Sequence, residues 1–463
     1  MDNAATNDVL ARTLTGLLLE KYGIHFSPEN GQIRCLAHVV NLVVQKILAS
    51  IIDAEDPDET DWYLLHKFLP FHYDVDDDEL NAMEDKEAAV MDEKLTELCS
   101  DEEKDTPIDV EEVLNAVQKL RLIVRKIVSS PQRRSSFCKH AIRHYDGKPN
   151  PSGGKALSTL MPVRDVRTRW NCTHAMIERA LLLKKAIGDW VAERDDLEAL
   201  TLLPEDWNFL QQHANLLSHF THVTHIMSKQ SMPTLPWVLP MFDHMKTALT
   251  NVIASPSTKP ALAVAAQAGL TKLEQYYTKA KECQYNVIAT VCHPNLRVNW
   301  FSKLGSEEKA RAEVLFEHVF RKYELKLPKA ADVPARPAPV ATPSSFLDML
   351  SSVPDVPDPE AQDEAAQTSE VERWLRFEGG KGNPYDPLVW WKEHAHKFPV
   401  IASMARDFLA IPGASVSVEC LFSASRHLCV DTRSSLKAET ISEAMCSKQW
   451  LKDGLFKFDN MRS

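Results

Sequence analysis

The sequence has little glycine and no long apolar run. It contains 14 glycines in 463 residues, while leucine, alanine, glutamate and lysine are abundant, which favours helix over sheet. No run of about 18 uncharged apolar residues occurs, so we expect no membrane-spanning helix. The N-terminal residues show no basic segment followed by an apolar one, so no signal peptide is predicted.

The nine cysteines follow no regular spacing, and no C-x-x-C pair occurs among them. This pattern favours reduced thiols in the cytosol or nucleus over a disulfide framework or a zinc finger. The sequence also has no glycine-rich phosphate loop, G-x-S-x-G elbow or dinucleotide-binding fingerprint. Hydrolase, kinase and dehydrogenase functions therefore have no support, and we expect no small-molecule substrate.

Charge is segregated along the chain. Asp53–Glu112 holds 24 acidic and 4 basic residues, whereas Lys119–Arg169 holds 13 basic and 2 acidic residues. The acidic segment is typical of a solvated, partly disordered insertion. The basic segment, with Arg133 and Arg134, either contacts nucleic acid or balances the acidic segment, and its spacing does not decide between the two.

Apolar residues recur mostly at helical spacing. This spacing predicts helices at Asp2–Tyr22, His38–Ile52, Val110–Val128, Trp190–Leu203, Glu205–Met227, Met241–Ile253, Pro260–Ala280, Glu307–Tyr323 and Leu436–Leu451. A short strand is predicted at Gln32–Leu36, and a loop at Pro131–Leu160. Residues 328–370 are rich in proline, alanine and acidic residues and are predicted to be an extended linker, within which the SFLDML segment is able to dock.

The stretch Asn383–Arg426 follows this linker and contains two adjacent tryptophans, Trp390 and Trp391. Both cannot face one side of an isolated helix, so one is expected to pack against a second surface. Glu419 lies in a segment of otherwise small and apolar residues. From the pattern alone, the stretch is a helical packing module.

Four blocks together resemble, in the same order, the hAT family of transposases. They are DNAATND at Asp2–Asp8, CLAH at Cys35–His38, DVRTRWNCTHAMIERAL at Asp165–Leu181, and the region from Tyr385 to Leu451 with its WW, ARDFLAIP and S-x-E-x-x-F-S segments. Each block alone is only modestly specific for the family, but the four blocks in the same order give strong support to the resemblance.

The resemblance implies a retroviral-integrase-like (RNase H-like) core interrupted by a large all-α insertion. In the family, a D-D-E triad binds two Mg²⁺ or Mn²⁺ ions for DNA cleavage and strand transfer. Carboxylates are suitable ligands because these hard cations prefer oxygen. Asp2 and Glu419 correspond to the second aspartate and the glutamate. The first aspartate and the zinc-binding BED-type finger would lie before Met1, so we expect a chain without autonomous transposase activity and without a metal cofactor in this form.

The resemblance also suggests roles for other residues. Trp170, beside Arg169, corresponds to a platform that stacks on a displaced base, although a core tryptophan capped by arginine is an equal alternative. Cys35 and His38 lie one helical turn apart, but two ligands make no closed zinc site, so a packing role is favoured. Trp390, Trp391 and Phe408 are expected at a dimer interface.

The sequence therefore predicts a mainly α chain with a small α/β remnant, an incomplete RNase H-like core. The expected divisions are a partial core at 1–52, an acidic insertion at 53–112, an all-α insertion domain at 113–327, a linker at 328–370 and a dimerisation region at 371–463 that completes the core. The predicted function is that of a nuclear, DNA-associated protein that forms homodimers or higher assemblies and contacts no membrane. The alternatives are a fragment of an active transposase and a domesticated protein-interaction scaffold.

Overall fold

The computed structural model describes residues 5–27, 31–51, 114–151, 153–165, 170–229, 232–326, 346, 350, 369–415 and 437–452. The acidic segment 53–112 and nearly all of the linker lie outside these ranges, as do Asp2, Arg169 and Glu419. The predictions made for these residues therefore concern a part of the chain outside the described ranges.

The described residues form helices joined by short connections. The α-helices are α1 (Ala5–Tyr22), α2 (Leu36–Ala49), α3 (Ala116–Val128), α4 (Pro131–Tyr145), α5 (Trp170–Leu182), α6 (Lys184–Ala192), α7 (Pro204–Met227), α8 (Val238–Ala254), α9 (Pro260–Glu282), α10 (Gln284–Cys292), α11 (Ser306–Glu324), α12 (Glu370–Leu375), α13 (Pro387–His394), α14 (Pro399–Leu409) and α15 (Ala438–Lys452). Short 3₁₀ turns occur at Leu157–Thr159, Asp195–Leu200, Leu235–Trp237 and Val298–Lys303.

The predicted mainly α fold is confirmed, but the predicted strand is wrong. Residues 32–35 have no regular secondary structure, and Leu36 begins α2 instead. Within the described ranges the only bridge of β type is an isolated one between Asn383 and Asp386, so residues 32–35 have no neighbouring strand with which to pair. In the same ranges no helix is both long and apolar enough to cross a bilayer.

The loop predicted at Pro131–Leu160 from its proline and serine residues is wrong in its first half, which is a helix. Pro131 occupies the first turn of α4, where a missing N–H costs nothing. The side chain of Ser130 caps this turn by accepting the backbone N–H of Arg133 at 3.2 Å. Only the part after Tyr145, with its PNPSGGK run, is irregular apart from one 3₁₀ turn.

Helix α2 lies at the centre of the helical body. Eleven of its fourteen residues are buried, and it packs against α7 and α9. The approach to α9 is close, because a Cβ atom added at Gly269 would lie 2.5 Å from Cγ1 of Ile47. A glycine therefore lets the two helix backbones pack at this crossing. Helix α14 packs against α10 and α11, so the last third of the chain shares the same core.

Candidate functional site

The CLAH block contacts the chain just after α14. The N–H of Leu36, the first residue of α2, donates to the carbonyl of Gly413 at 3.1 Å. The backbone N–H and the hydroxyl of Ser415 donate to the Cys35 sulfur at 3.2 and 3.3 Å. The early and late blocks of the sequence therefore meet here, four residues before Glu419.

Gly413 fits this contact because it has no side chain. An added Cβ atom would lie 2.7 Å from Cγ2 of Val238, 2.8 Å from Cε of Met227 and 3.0 Å from the carbonyl oxygen of Thr234. The N–H of Gly413 also donates to the Thr234 hydroxyl at 2.9 Å. The backbone leading toward Glu419 is thus held from two sides.

The first block approaches the same end of α2. Asp8 on α1 forms a salt bridge of 2.9 Å with Arg34, next to Cys35. Partial burial acts to raise the pKa of Asp8, but the Arg34 guanidinium and the Gln32 amide outweigh it and hold the pKa below its usual value. A cleft of about 240 Å³ opens beside this pair, and its lining mixes charges of both signs. The charged side chains in that lining are Asp8, Arg12, Arg34, Lys279 and Glu282.

Cys35 and His38 are 2% and 6% exposed. In the part of the chain that the structure describes, no group of three or more His, Cys, Asp or Glu side chains is arranged to hold a metal ion. Cys35 and His38 therefore have the environment of packed side chains. The expected Mg²⁺ or Mn²⁺ ligands Asp2 and Glu419 lie outside the described residues, so the metal site stays a prediction.

An aromatic cluster joins the C-terminal region to the helical body. Trp374 contacts Trp390, Trp391 and Phe398, with ring centroids 5.5, 4.9 and 5.4 Å away. The indole N–H groups of Trp374 and Trp391 donate to the carbonyls of Val291 and Cys292 at 3.2 and 3.0 Å. The end of α10 is thereby fixed to α12 and α13.

Arg297 lies at the centre of this cluster and is fully buried. Its guanidinium donates to the carbonyls of Pro294, Trp374 and Gly380 at 3.2, 3.1 and 2.9 Å. It also lies 3.9 Å from the centroid of the Trp374 ring. Burial lowers the pKa of Arg297 to about 9, so the group is still protonated at neutral pH.

The loop after α12 wraps around this cation. Phe377, Gly379 and Gly380 all have positive φ angles, of 69°, 86° and 67°. A Cβ atom at Gly379 would lie 2.8 Å from Cζ2 of Trp390, so that position has neither the conformation nor the space for a side chain. The Trp390 indole N–H donates to the Gly379 carbonyl at 3.2 Å. The loop therefore presents its carbonyls toward Arg297 and Trp390.

The three residues predicted at a dimer interface are buried within one chain. Trp390, Trp391 and Phe408 are 5%, 6% and 8% exposed. Phe408 packs against Tyr285 and Tyr323. The packing of one indole against a second surface, expected from the sequence, is present for both. The interface itself stays a prediction, and these rings have no free face large enough to form it alone.

Trp170 is 3% exposed and belongs to the hydrophobic core. A base cannot stack on a ring in that position, so the structure favours the core alternative over the stacking platform. Nearby, Asp165 forms a salt bridge with Arg121 and accepts the Thr173 hydroxyl at 2.8 Å. Arg169, the other half of the predicted pair, lies outside the described residues.

Arg133 and Arg134 lie where α3 meets α4. Arg133 donates to the Ser129 hydroxyl at 3.2 Å, and Arg134 donates twice to the Val128 carbonyl, at 2.9 and 2.7 Å. Basic groups at a helix C-terminus satisfy carbonyls that have no intrahelical partner. Both arginines therefore stabilise the end of α3, and Arg134 keeps an exposed position. Their predicted contact with phosphate is not tested by this geometry.

Sequence reasoning missed Arg297. The available signal was a single arginine in the apolar run Val287–Phe301, in which α10 ends at Cys292 and a turn follows. The partners of Arg297 could not be found, because the accepting carbonyls of Trp374 and Gly380 lie 77 and 83 residues away.

Comparison with known proteins identifies two regions of the chain. Residues 364–451 match the hAT family C-terminal dimerisation region. Residues 79–216 match the ZBED1 RNase-like helical domain. The first match covers the aromatic cluster around Trp374 and ends within α15, and the second includes α3–α6.

Curated proteins from fungi and plants are similar over most of the chain. The putative transcriptional regulator tpeD of Talaromyces stipitatus is 24% identical over 450 residues, which are 96% of this chain and 44% of that protein. The zinc finger BED domain-containing protein RICESLEEPER 2 of Oryza sativa subsp. japonica is 26% identical over 72% of this chain and 47% of its own length. The putative AC transposase of Zea mays is 22% identical over 73% of this chain and 42% of its own length. The chain thus spans less than half the length of these relatives.

Proposed function

This chain is related to the hAT family transposases and carries their C-terminal dimerisation region, and we propose that it acts as a self-associating, DNA-associated nuclear protein. The domain divisions given from the sequence are part of this proposal. Two of the similar proteins are named as a putative transposase and a putative transcriptional regulator, and both names describe proteins that act at DNA. Catalysis is not included, because its predicted ligands Asp2 and Glu419 lie outside the described residues.

The observation that carries self-association is helix α15. The dimerisation region ends within it, at residue 451. None of its described side chains is buried, and Ile441 and Met445, which are four residues apart, share one face of the helix. A helix of this length is marginally stable in water without a packing partner. The match to a dimerisation region favours the same helix face of a second copy as this packing partner.

Disrupting that face is expected to produce a monomer. Light scattering on the full chain should give twice the 52.3 kDa monomer mass. The double substitution Ile441→Asp and Met445→Asp places two charges on the face that these residues share, and we expect the mass to fall to that of the monomer at micromolar concentration. A matched control is Val314→Asp on α11, which lies outside the dimerisation region and is 70% exposed; it should leave the dimer intact. A wild-type monomer, or a dimer unaffected by the double substitution, would remove α15 as the interface.

DNA association is supported by the corner between α3 and α4. Residues 125–134 hold four cations, Arg125, Lys126, Arg133 and Arg134, and no acidic residue. Arg125 and Arg134 are exposed. Because one short turn joins the two helices, these four cations lie close together. Such a group of cations attracts the phosphate backbone without reading its sequence.

Removing two of these cations is expected to weaken DNA binding and its salt dependence. For duplex DNA, the double substitution Arg133→Ala and Arg134→Ala should make the slope of log affinity against log salt shallower by about 2, since each phosphate contact contributes about 0.9. Helical content should be checked by circular dichroism, because the same side chains cap α3. The control is Arg311→Ala with Lys322→Ala on α11. An unchanged slope would exclude this corner, and a chain that dimerises but binds no DNA would favour the protein-interaction scaffold.

A further inference from the structure

A phenylalanine from the linker lies between two histidines of the helical body. Phe346 stacks on His222 of α7, with ring centroids 5.8 Å apart and an interplanar angle of 29°. It meets His244 of α8 edge to face, with centroids 4.9 Å apart and an angle of 87°. Both arrangements are favourable geometries for aromatic pairs. The ring therefore fills a groove between α7 and α8.

A second residue of the same segment is anchored four positions later. Leu350 is 8% exposed, and its carbonyl accepts the ammonium of Lys303 at 2.8 Å. Phe346 and Leu350 are therefore two anchors of a Phe-x-x-x-Leu sequence that both contact the helical body.

The His244 ring, which Phe346 meets edge to face, is uncharged at neutral pH. Nδ1 of His219 and Nε2 of His244 are 3.2 Å apart, which requires one donor and one acceptor. Burial lowers the pKa of His244 to about 4, and burial with the nearby His222 lowers that of His219. Neutral imidazoles present aromatic faces without the desolvation cost of a cation. At the far end of the groove, Lys303 remains available for the carbonyl of the bound segment.

The position of the segment in the chain makes this contact intramolecular. Residues 327–345, with five prolines, precede the motif, and residues 351–363 follow it before the dimerisation region. A ligand joined to its site by the chain has an effective concentration on the order of millimolar. Two anchor residues that give a free peptide weak but measurable affinity are therefore enough to hold a tethered one.

We propose that the groove between α7 and α8 is a binding site for a Phe-x-x-x-Leu motif, and that Phe346 and Leu350 of the same chain are the anchors of a displaceable internal ligand. Occupation fixes the middle of the linker to the helical body, between α11 and the dimerisation region. Emptying the groove frees a peptide-binding surface and leaves the rest of the fold intact, because Phe346 contributes only a half-buried ring at the edge of the core.

The test uses a fluorescein-labelled peptide with the sequence of residues 343–352 and the full-length protein. In anisotropy titrations, the peptide should bind the variant Phe346→Ala with Leu350→Ala, in which the internal ligand lacks both anchors. Wild-type protein should bind at least ten times more weakly, because its groove is filled. A peptide carrying the same two alanine substitutions should not bind the variant.

Substitutions in the groove separate this site from unspecific binding. Adding His222→Ala or Lys303→Ala to the double variant should weaken peptide binding, while Val264→Ala on the exposed face of α9 should not. Circular dichroism should be the same for all variants. No binding to the double variant would overturn the proposal, as would equal binding to the variant and wild type, which would place the peptide at a site other than the occupied groove.

Discussion

Replacing Arg297 by leucine is expected to release the C-terminal region from the helical body. The substitution removes three hydrogen bonds from a cation to carbonyl groups and leaves the acceptors of Trp374 and Pro294 without their donor in a dry interior. Bonds to charged groups contribute about 1.5–3 kcal/mol each, and an unsatisfied buried acceptor costs about 1–3 kcal/mol. We therefore expect a loss of at least about 4 kcal/mol, a large part of the 5–15 kcal/mol that stabilises a typical domain.

Urea denaturation followed by tryptophan fluorescence measures this loss, because Trp374 and Trp390 surround the substituted side chain. Arg297→Lys should also be destabilised, since a single ammonium cannot reproduce a planar fork that stacks on an indole and serves three carbonyls. Arg311→Leu, an exposed position on α11, is the control and should change stability by less than about 0.5 kcal/mol. If Arg297→Leu behaved like that control, Arg297 would not hold the two parts together.

The helices were predictable where local signals decide them. Pro204 and Pro260 begin helices at their first turn, and apolar periodicity placed α7, α9 and α11 to within three residues. The same local rules failed at Pro131, where proline was taken for a loop signal although it also starts helices. They failed at Gln32–Leu36 because a strand requires a partner, and whether one exists is decided by tertiary structure.

The candidate site was predictable only as a set of blocks. The sequence indicated that Cys35–His38 and the segment after α14 belong together, and the structure brings them into hydrogen-bond contact across 380 residues. The sequence indicated that one of Trp390 and Trp391 packs against a second surface, but not that both are buried, since this depends on where α12 and α10 lie. A charged residue such as Arg297 is expected at the surface, and only its distant carbonyl partners explain its burial.

The location of the aromatic cluster has a consequence for self-association. The most tightly packed residues of the dimerisation region lie around Trp374 and Trp390, and they make their contacts within the chain. Among the described residues of the region, the exposed large apolar side chains are Leu388 and Val389 on α13 and Trp450 and Leu451 on α15, each 41–52% exposed. The tryptophans therefore hold the dimerisation region against the helical body of the same chain. Other faces of the region remain for contact with a second copy.

Gly413→Val is expected to separate the two sequence blocks that meet at Cys35. The new side chain would overlap Val238, Met227 and the Thr234 backbone. The backbone at 413–415 must then move, which loses the hydrogen bonds to Thr234 and Leu36 as well as those from Ser415 to Cys35. Overpacking of this kind costs about 1–3 kcal/mol.

The Cys35 thiol reports the displacement directly. It is 2% exposed and receives two hydrogen bonds from Ser415, so it should react slowly with maleimide in the wild type and much faster in Gly413→Val, as measured by mass spectrometry of the Cys35 peptide. Gly188→Ala in α6 is the matched control: an added Cβ meets nothing within 4 Å there, and stability should rise by about 0.5–1 kcal/mol because alanine favours the helix. Equal Cys35 reactivity in wild type and Gly413→Val would mean that the segment leading to Glu419 is held by something other than this glycine contact.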